Sequence, residues 1–272
     1  MTKLAGIGKS ARQKLSLVLE RNPVVIKSGF VSEVLNITLP DASQLLAGWS
    51  NNGWLYRLKR GSYVSVPLDS TSGDAVLEDP FLIAELLYQP GYIGGFSAVK
   101  HWDLSEQIIE TIYYFTTRQV KDRSPKHGMT KFKIKTLTTS KMFGTKTIWY
   151  GSKKVKVSDP SKTIVDILDD PKLVGGMTVV FDIFSEYINS DYCDFDKLYK
   201  YSLKIGNKTV IKRLGFMMDV KLDFIPVALE NIQEDISSGY SNFDSVVKCD
   251  LIVEKWKLKV SSSWKREYDR KK

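Results

Sequence analysis

Ser43, Gln44, Ala47 and Asn51 recur three to four residues apart in the segment Thr38 to Gly53, the spacing of one helix face. Small side chains let a helix approach a duplex, Gln and Asn can pair bidentately with adenine, and Ser reaches a phosphate or a base edge. This face carries no carboxylate; Asp41 stands at its edge, in the first turn. Just downstream, Arg57, Lys59 and Arg60 sit near a predicted hairpin tip, placed to neutralise backbone phosphates or enter the minor groove. A second basic set follows. Lys131, Lys133 and Lys135 alternate with Phe132 and Ile134, which puts the lysines on one face of a strand. Lys153, Lys154 and Lys156 extend that surface if their strand is a neighbour.

Groups for covalent or acid–base chemistry are weaker. Asp159, Lys162 and Asp166 share a predicted helix, but Asp159-Pro160 has the form of a helix cap with Pro at the first position. Asp191, Asp219 and Lys221 have the loose outline of an acidic nuclease motif. His101 lacks a nearby nucleophile, and there is no Walker motif. Cys193, Cys249, His101 and His127 are too few and too scattered for a structural zinc site or a disulfide framework. The expectation is a chain with no catalytic residues, metal or cofactor.

The elements that must hold the basic groups follow from periodicity. Apolar spacing predicts helices over Lys9–Glu20 and about Lys27–Asn36, then a third starting at the Thr38 cap and stopping near Gly53. Leu39, Ala42, Leu45, Leu46 and Trp49 form the inward arc of the third helix. Trp54–Lys59 and Ser62–Val66 alternate around Arg60-Gly61, a hairpin signal. Three helices and a hairpin make a winged helix-turn-helix, expected over residues 1–68.

A polar linker is expected at 69–78. Residues 79–218 then read as an α+β domain with a small antiparallel sheet: helices from Pro80 to Tyr88 and about Gly94 to Asp103, and strands at Ile108–Thr117, Phe132–Thr138, Thr145–Tyr150 and Lys154–Val157. Helices follow at Ser158–Leu168, Met177–Ile188, Phe195–Ile205 and Lys208–Met218. Residues 219–272 form a C-terminal extension packed on that domain, with a helix over Pro226–Ile236 and a strand over Val253–Val260.

With 40 basic and 31 acidic side chains the net charge is +9, which favours a polyanionic partner. Residues 118–157 hold twelve basic side chains against one acid, Asp122. That stretch reads either as nucleic-acid contact or as a lysine-rich edge strand kept from aggregating. No segment is apolar enough for a signal peptide core or a membrane span, so a cytoplasmic protein without a membrane partner is expected.

Several phrases, in order, resemble the AbiEi antitoxin family of bacterial abortive-infection, type IV toxin-antitoxin systems. They are Ser43-Gln44-Leu45-Leu46, Gly53-Trp54-Leu55-Tyr56-Arg57-Leu58-Lys59-Arg60-Gly61-Ser62-Tyr63 and Gly95-Phe96-Ser97-Ala98. Val157-Ser158-Asp159-Pro160-Ser161-Lys162-Thr163-Ile164-Val165-Asp166 and Arg213-Leu214-Gly215-Phe216-Met217-Met218 follow. The resemblance covers about residues 10–218. It implies a winged-helix repressor that binds double-stranded DNA repeats in its own promoter, and a second domain that counteracts a nucleotidyltransferase-like toxin, with or without a stable complex. Two other readings stay open: a winged helix used for protein contact, and a metal-dependent nuclease using Asp219 and Lys221.

Overall fold

The computed structural model describes residues 8–21, 23–66, 79–150, 153–222, 224 and 226–271. The predicted linker 69–78 lies outside them. The chain opens with α1 (Lys9–Glu20), β1 (Ile26–Lys27), α2 (Ser28–Leu35) and α3 (Leu39–Asn51), then the hairpin β2 (Leu55–Lys59) and β3 (Ser62–Ser65). This is a winged helix. Thr38 caps α3 by accepting the Asp41 N–H at 3.3 Å, and α2 ends on Asn36 in the left-handed conformation. Gly61, at φ 73°, turns the hairpin. β1 closes an antiparallel sheet in the order β1-β3-β2. At two residues it is too short to show a period. Leu15, Val18, Ile26, Val31, Ala42, Leu46, Trp49, Leu55 and Tyr63 form the module's core. Leu39 is the exception to the predicted inward arc: at the first turn of α3 nothing covers it, and it is 56% exposed.

Next come α4 (Pro80–Tyr88), β4 (Gly91–Ile93), α5 (Gly95–His101), β5 (Ile112–Thr116), β6 (Lys126–His127), β7 (Thr130–Thr136), β8 (Thr145–Tyr150) and β9 (Lys153–Ser158). The strands form one sheet in the order β6-β7-β5-β4-β9-β8. The fold class is α+β, but this sheet is mixed and larger than the small antiparallel one expected. β5 pairs parallel with β7, and β4 with β9. Each parallel pair needs a long crossover, and residues 117–129 and 94–152 supply them. The expected strand over 108–117 shrinks to β5.

Helices α6 (Pro160–Asp169), α7 (Met177–Asn189), α8 (Phe195–Lys204) and α9 (Lys208–Lys221) cover one side of the sheet. Residues beyond Asp219 join the same buried cluster through Phe243, Val253, Trp256, Leu258, Val260, Trp264 and Tyr268. Gly215 of α9 is where Trp256 lies directly on the helix backbone; an added Cβ would overlap the indole ring. Two expectations fail in this segment. The helix over 226–236 is only a 3-10 turn at Val227–Leu229 followed by irregular turns, and only Pro226, Leu229 and Ile232 of the stretch are buried, too few for a continuous helical face. The strand over 253–260 is a hairpin, β11 (Leu251–Val253) and β12 (Leu258–Val260), broken by a 3-10 turn and by Lys257 at φ 50°. β12 also pairs with β10 (Ser241–Asn242), and α10 (Ser262–Arg270) ends the described chain.

The winged helix is packed onto the second unit. Leu58 and Val64 of the hairpin share a buried cluster with Leu82, Ile83 and Leu87 of α4 and with Ile93, Tyr114, Phe132, Ile134, Val155 and Val157 of the sheet.

Candidate nucleic-acid interface

On α3, Ala42, Leu46 and Trp49 are buried and Leu45 is half-buried, so the helix turns Ser43, Gln44, Ala47 and Asn51 outward. All four are exposed. Gln44 and Gly48 also border an open groove of about 510 Å³ shared with Ala11 and Lys14 of α1. Lys14 lines that groove together with Asp41 of α3, and Lys9 and Arg12, elsewhere on α1, are exposed. The sequence reading took α1 only for its apolar face.

The three predicted wing cations do not act alike. Arg57 and Arg60 are exposed, and neither pairs with a carboxylate among the described residues. Lys59 turns back toward the second unit, where its Nζ donates to the Leu87 carbonyl at 3.5 Å. Arg118 donates to the same carbonyl at 3.3 Å. Two cations converging on the last turn of α4 satisfy one of its free carbonyls and complement the helix dipole. Burial lowers the Lys59 pKa, with Arg118 and Lys27 adding like-charge repulsion. Lys59 is thus a residue of the joint as much as of the wing tip.

The joint also contains His127, whose Nε2 lies 2.8 Å from the Tyr88 hydroxyl. Burial lowers the His127 pKa, opposed by Asp122 and assisted by Lys59. A base with a depressed folded pKa is protonated first in the unfolded chain. The stability it contributes is therefore complete above the unfolded value, about 6.5, and is lost as pH falls below it. His101, lowered mainly by burial, acts in the same direction. Stability is expected to drop between about pH 7.5 and 5.5, and His127→Gln to flatten that drop. Thermal melts at the two pH values check this; identical slopes in both proteins would contradict it.

The second basic surface divides. Lys131 and Lys133 of β7 are exposed, but Lys135 pairs with Asp170 at 2.7 Å, and Lys141 with Asp169 at 2.7 Å. The carboxylates at the end of α6 take up lysines that looked unopposed along the chain. Lys153, Lys154 and Lys156 lie on β9, separated from β7 by β5 and β4. They do not extend the β7 strip. Lys154 and Lys156 share a face with Trp149 and Thr147 of β8, and Lys153 falls on the opposite face of β9.

Asp159, Asp166 and Asp219 are engaged in caps and ion pairs. Asp159 caps α6, accepting the Lys162 N–H at 2.9 Å, and its other oxygen accepts the Tyr201 hydroxyl at 3.1 Å. The Lys162 ammonium is wholly buried, donates to Asp166 and to the Tyr92 hydroxyl at 3.1 Å, and stands 4.8 Å from the centre of the Phe143 ring. Tyr92 donates to Asp166 at 2.9 Å. Burial raises the Asp166 carboxyl even against the pull of Lys162. Asp219 pairs with Lys255 at 2.7 Å and accepts the Trp256 indole N–H at 2.7 Å, while Asp191 is exposed. Lys221 borders a different groove, lined also by Asp103, Glu106, Asp182 and Glu186. Among the described residues no three His, Cys, Asp or Glu side chains converge as a metal-ligand set, and no helix is long and apolar enough to cross a membrane.

Against proteins of solved structure, the crystal structure of the RV2827C protein from Mycobacterium tuberculosis aligns with a TM-score of 0.64. The two chains share a fold. The likeness covers 95% of this chain and 94% of that one at 13% sequence identity. No family model and no curated protein matches the chain.

Proposed function

We propose that this chain is a DNA-binding antitoxin of the AbiEi type, which represses its own operon by binding promoter repeats and counteracts a nucleotidyltransferase-like toxin. The observation that carries the DNA-binding part is the outward face of α3. Ser43, Gln44, Ala47 and Asn51 are all exposed and include no acid, and Lys14 of α1 lines the groove that Gln44 borders, with Asp41 at its edge. An exposed helix with no binding duty ordinarily carries Glu and Lys for solubility, and this face carries neither. The antitoxin part rests on the ordered phrases that resemble the family. Ser43, Gln44, Ala47 and Asn51 are assigned to the groove, and Arg57 and Arg60 to backbone phosphates, with Lys59 assisting from the joint.

Gln44→Ala is expected to cost about 1 to 3 kcal/mol at one base position and to relax preference there. Arg57→Ala is expected to weaken all duplexes nearly equally and to make the salt dependence shallower by about 0.9 in log–log slope. Fluorescence anisotropy on upstream DNA and single-base variants reads both. Unchanged affinity and unchanged preference in the two variants would remove the assignment.

A further inference from the structure

The hairpin β8–β9 carries an aromatic, Trp149, that belongs to none of the buried clusters and has no part in the groove-reading role. β8 is an edge strand, and its register on β9 sets Trp149 opposite Lys154 and Thr147 opposite Lys156. Directly opposed residues share a face, so these four side chains form one surface. All four are exposed, Trp149 by 61%. On the other face Val155 is buried, and Ile148 packs against the same cluster. The Lys154 ammonium lies over the Trp149 ring, 4.7 Å from its centre, and the residue keeps 61% of its surface exposed. Lys156 is the cation Glu85 feels most, but the Glu85 carboxylate is occupied by the Tyr114 hydroxyl at 2.9 Å. From Arg123 to Ser158 the sequence contains no acid.

We infer that this face binds single-stranded nucleic acid, with an unpaired base stacked on Trp149 and adjacent phosphates held by Lys154 and Lys156. Edge lysines alone are explained by protection against strand pairing. An exposed tryptophan among them is not, because it adds to an edge the adhesive surface that the lysines would serve to mask. A flat indole flanked by cations fits a nucleotide, whose base offers a π face and whose phosphate offers the charge. Duplex DNA keeps its base faces stacked inside, so the indole favours an unpaired strand. Lys154 and Lys156, two residues apart, are separated by roughly 7 Å along the strand, a distance suited to successive phosphates of an extended chain. The inference goes beyond promoter binding and does not depend on it.

The test is anisotropy of the full chain with a fluorescein-labelled oligo-dT of about twelve nucleotides, at low salt. The parent should bind it, and Trp149→Ala and Trp149→Leu should each weaken binding about tenfold, while Trp149→Phe retains most of it. Leu keeps apolar bulk in the hairpin without a ring, so its loss reports stacking rather than misfolding. Replacing Lys154 and Lys156 together by Ala should flatten the salt slope by roughly 1.4. Gln44→Ala and Arg57→Ala should leave this binding unchanged, which separates it from the duplex site. The proposal is overturned if the parent does not bind, if Trp149→Leu binds as the parent does, or if duplex or polyglutamate of equal charge displaces the oligonucleotide as readily as unlabelled oligo-dT.

Discussion

Lys162→Ala is expected to destabilise the protein by about 3 to 5 kcal/mol, the usual cost of removing one partner from a buried ion pair. The ammonium is wholly buried, and its partner Asp166 is 4% exposed. Without Lys162, Asp166 keeps only the Tyr92 hydroxyl, and the space beside the Phe143 ring is left unfilled. The carboxyl responds by holding its proton. Its folded pKa, already raised by burial, rises further. An acid with a raised folded pKa binds more protons in the folded state, so stability falls as pH climbs from the unfolded value, about 3.9, through the folded one. The destabilisation in the variant should therefore grow as pH rises toward neutrality. Replacing the pair together, Lys162→Met with Asp166→Leu, should cost less than Lys162→Ala alone, because no charge is then stranded. Urea unfolding followed by circular dichroism reads all three proteins; a loss below about 1 kcal/mol in Lys162→Ala would contradict the buried-pair account.

Ala47→Glu is expected to abolish specific duplex binding, by about 100-fold or more, while leaving the fold intact. Ala47 is exposed at the middle of the outward face of α3, and Glu is a good helix former, so stability should change by no more than about 0.5 kcal/mol. In a groove between two rows of phosphates the new carboxylate meets like charge, a juxtaposition costing several kcal/mol. Ala47→Ser keeps the size and polarity that the face tolerates and should retain most of the affinity. Melting temperature and duplex affinity, measured on the same preparations, separate the two effects. Binding within about threefold of the parent would mean that α3 does not enter the groove.

The winged helix was legible because its signals are local. Leu15 and Val18 keep helical spacing before Asn22-Pro23, Thr38 caps α3, and Gly61 marks the hairpin. The outward face of α3 followed from the same wheel, with Leu39 misplaced because burial at a helix's first turn depends on what happens to cover it. What depends on pairing between distant segments was hidden. Alternation in β7 and β9 shows which face their lysines occupy, but not that β4 and β5 lie between the strands. Nor could it show that Asp169 and Asp170, some thirty residues downstream, would take up Lys141 and Lys135. Lys59 reads as a wing cation by position and bends to α4 only because the hairpin packs there. Lys162 stood out beside Asp159 and Asp166 on one predicted helix, but no sequence period signals that its ammonium is buried. β4, with three residues, and α10, with few apolar side chains around Trp264 and Tyr268, fall below what periodicity can detect.

The central claim is that α3 and the wing read DNA. It is tested most directly by titrating the chain, at physiological salt, against the DNA upstream of its own reading frame and against a scrambled duplex of equal length and composition. The account predicts binding to the upstream DNA at least about a thousandfold tighter than to the scrambled duplex, with a DNase-protected stretch over a repeat. Equal affinity for the two duplexes, or no binding to either, would contradict it.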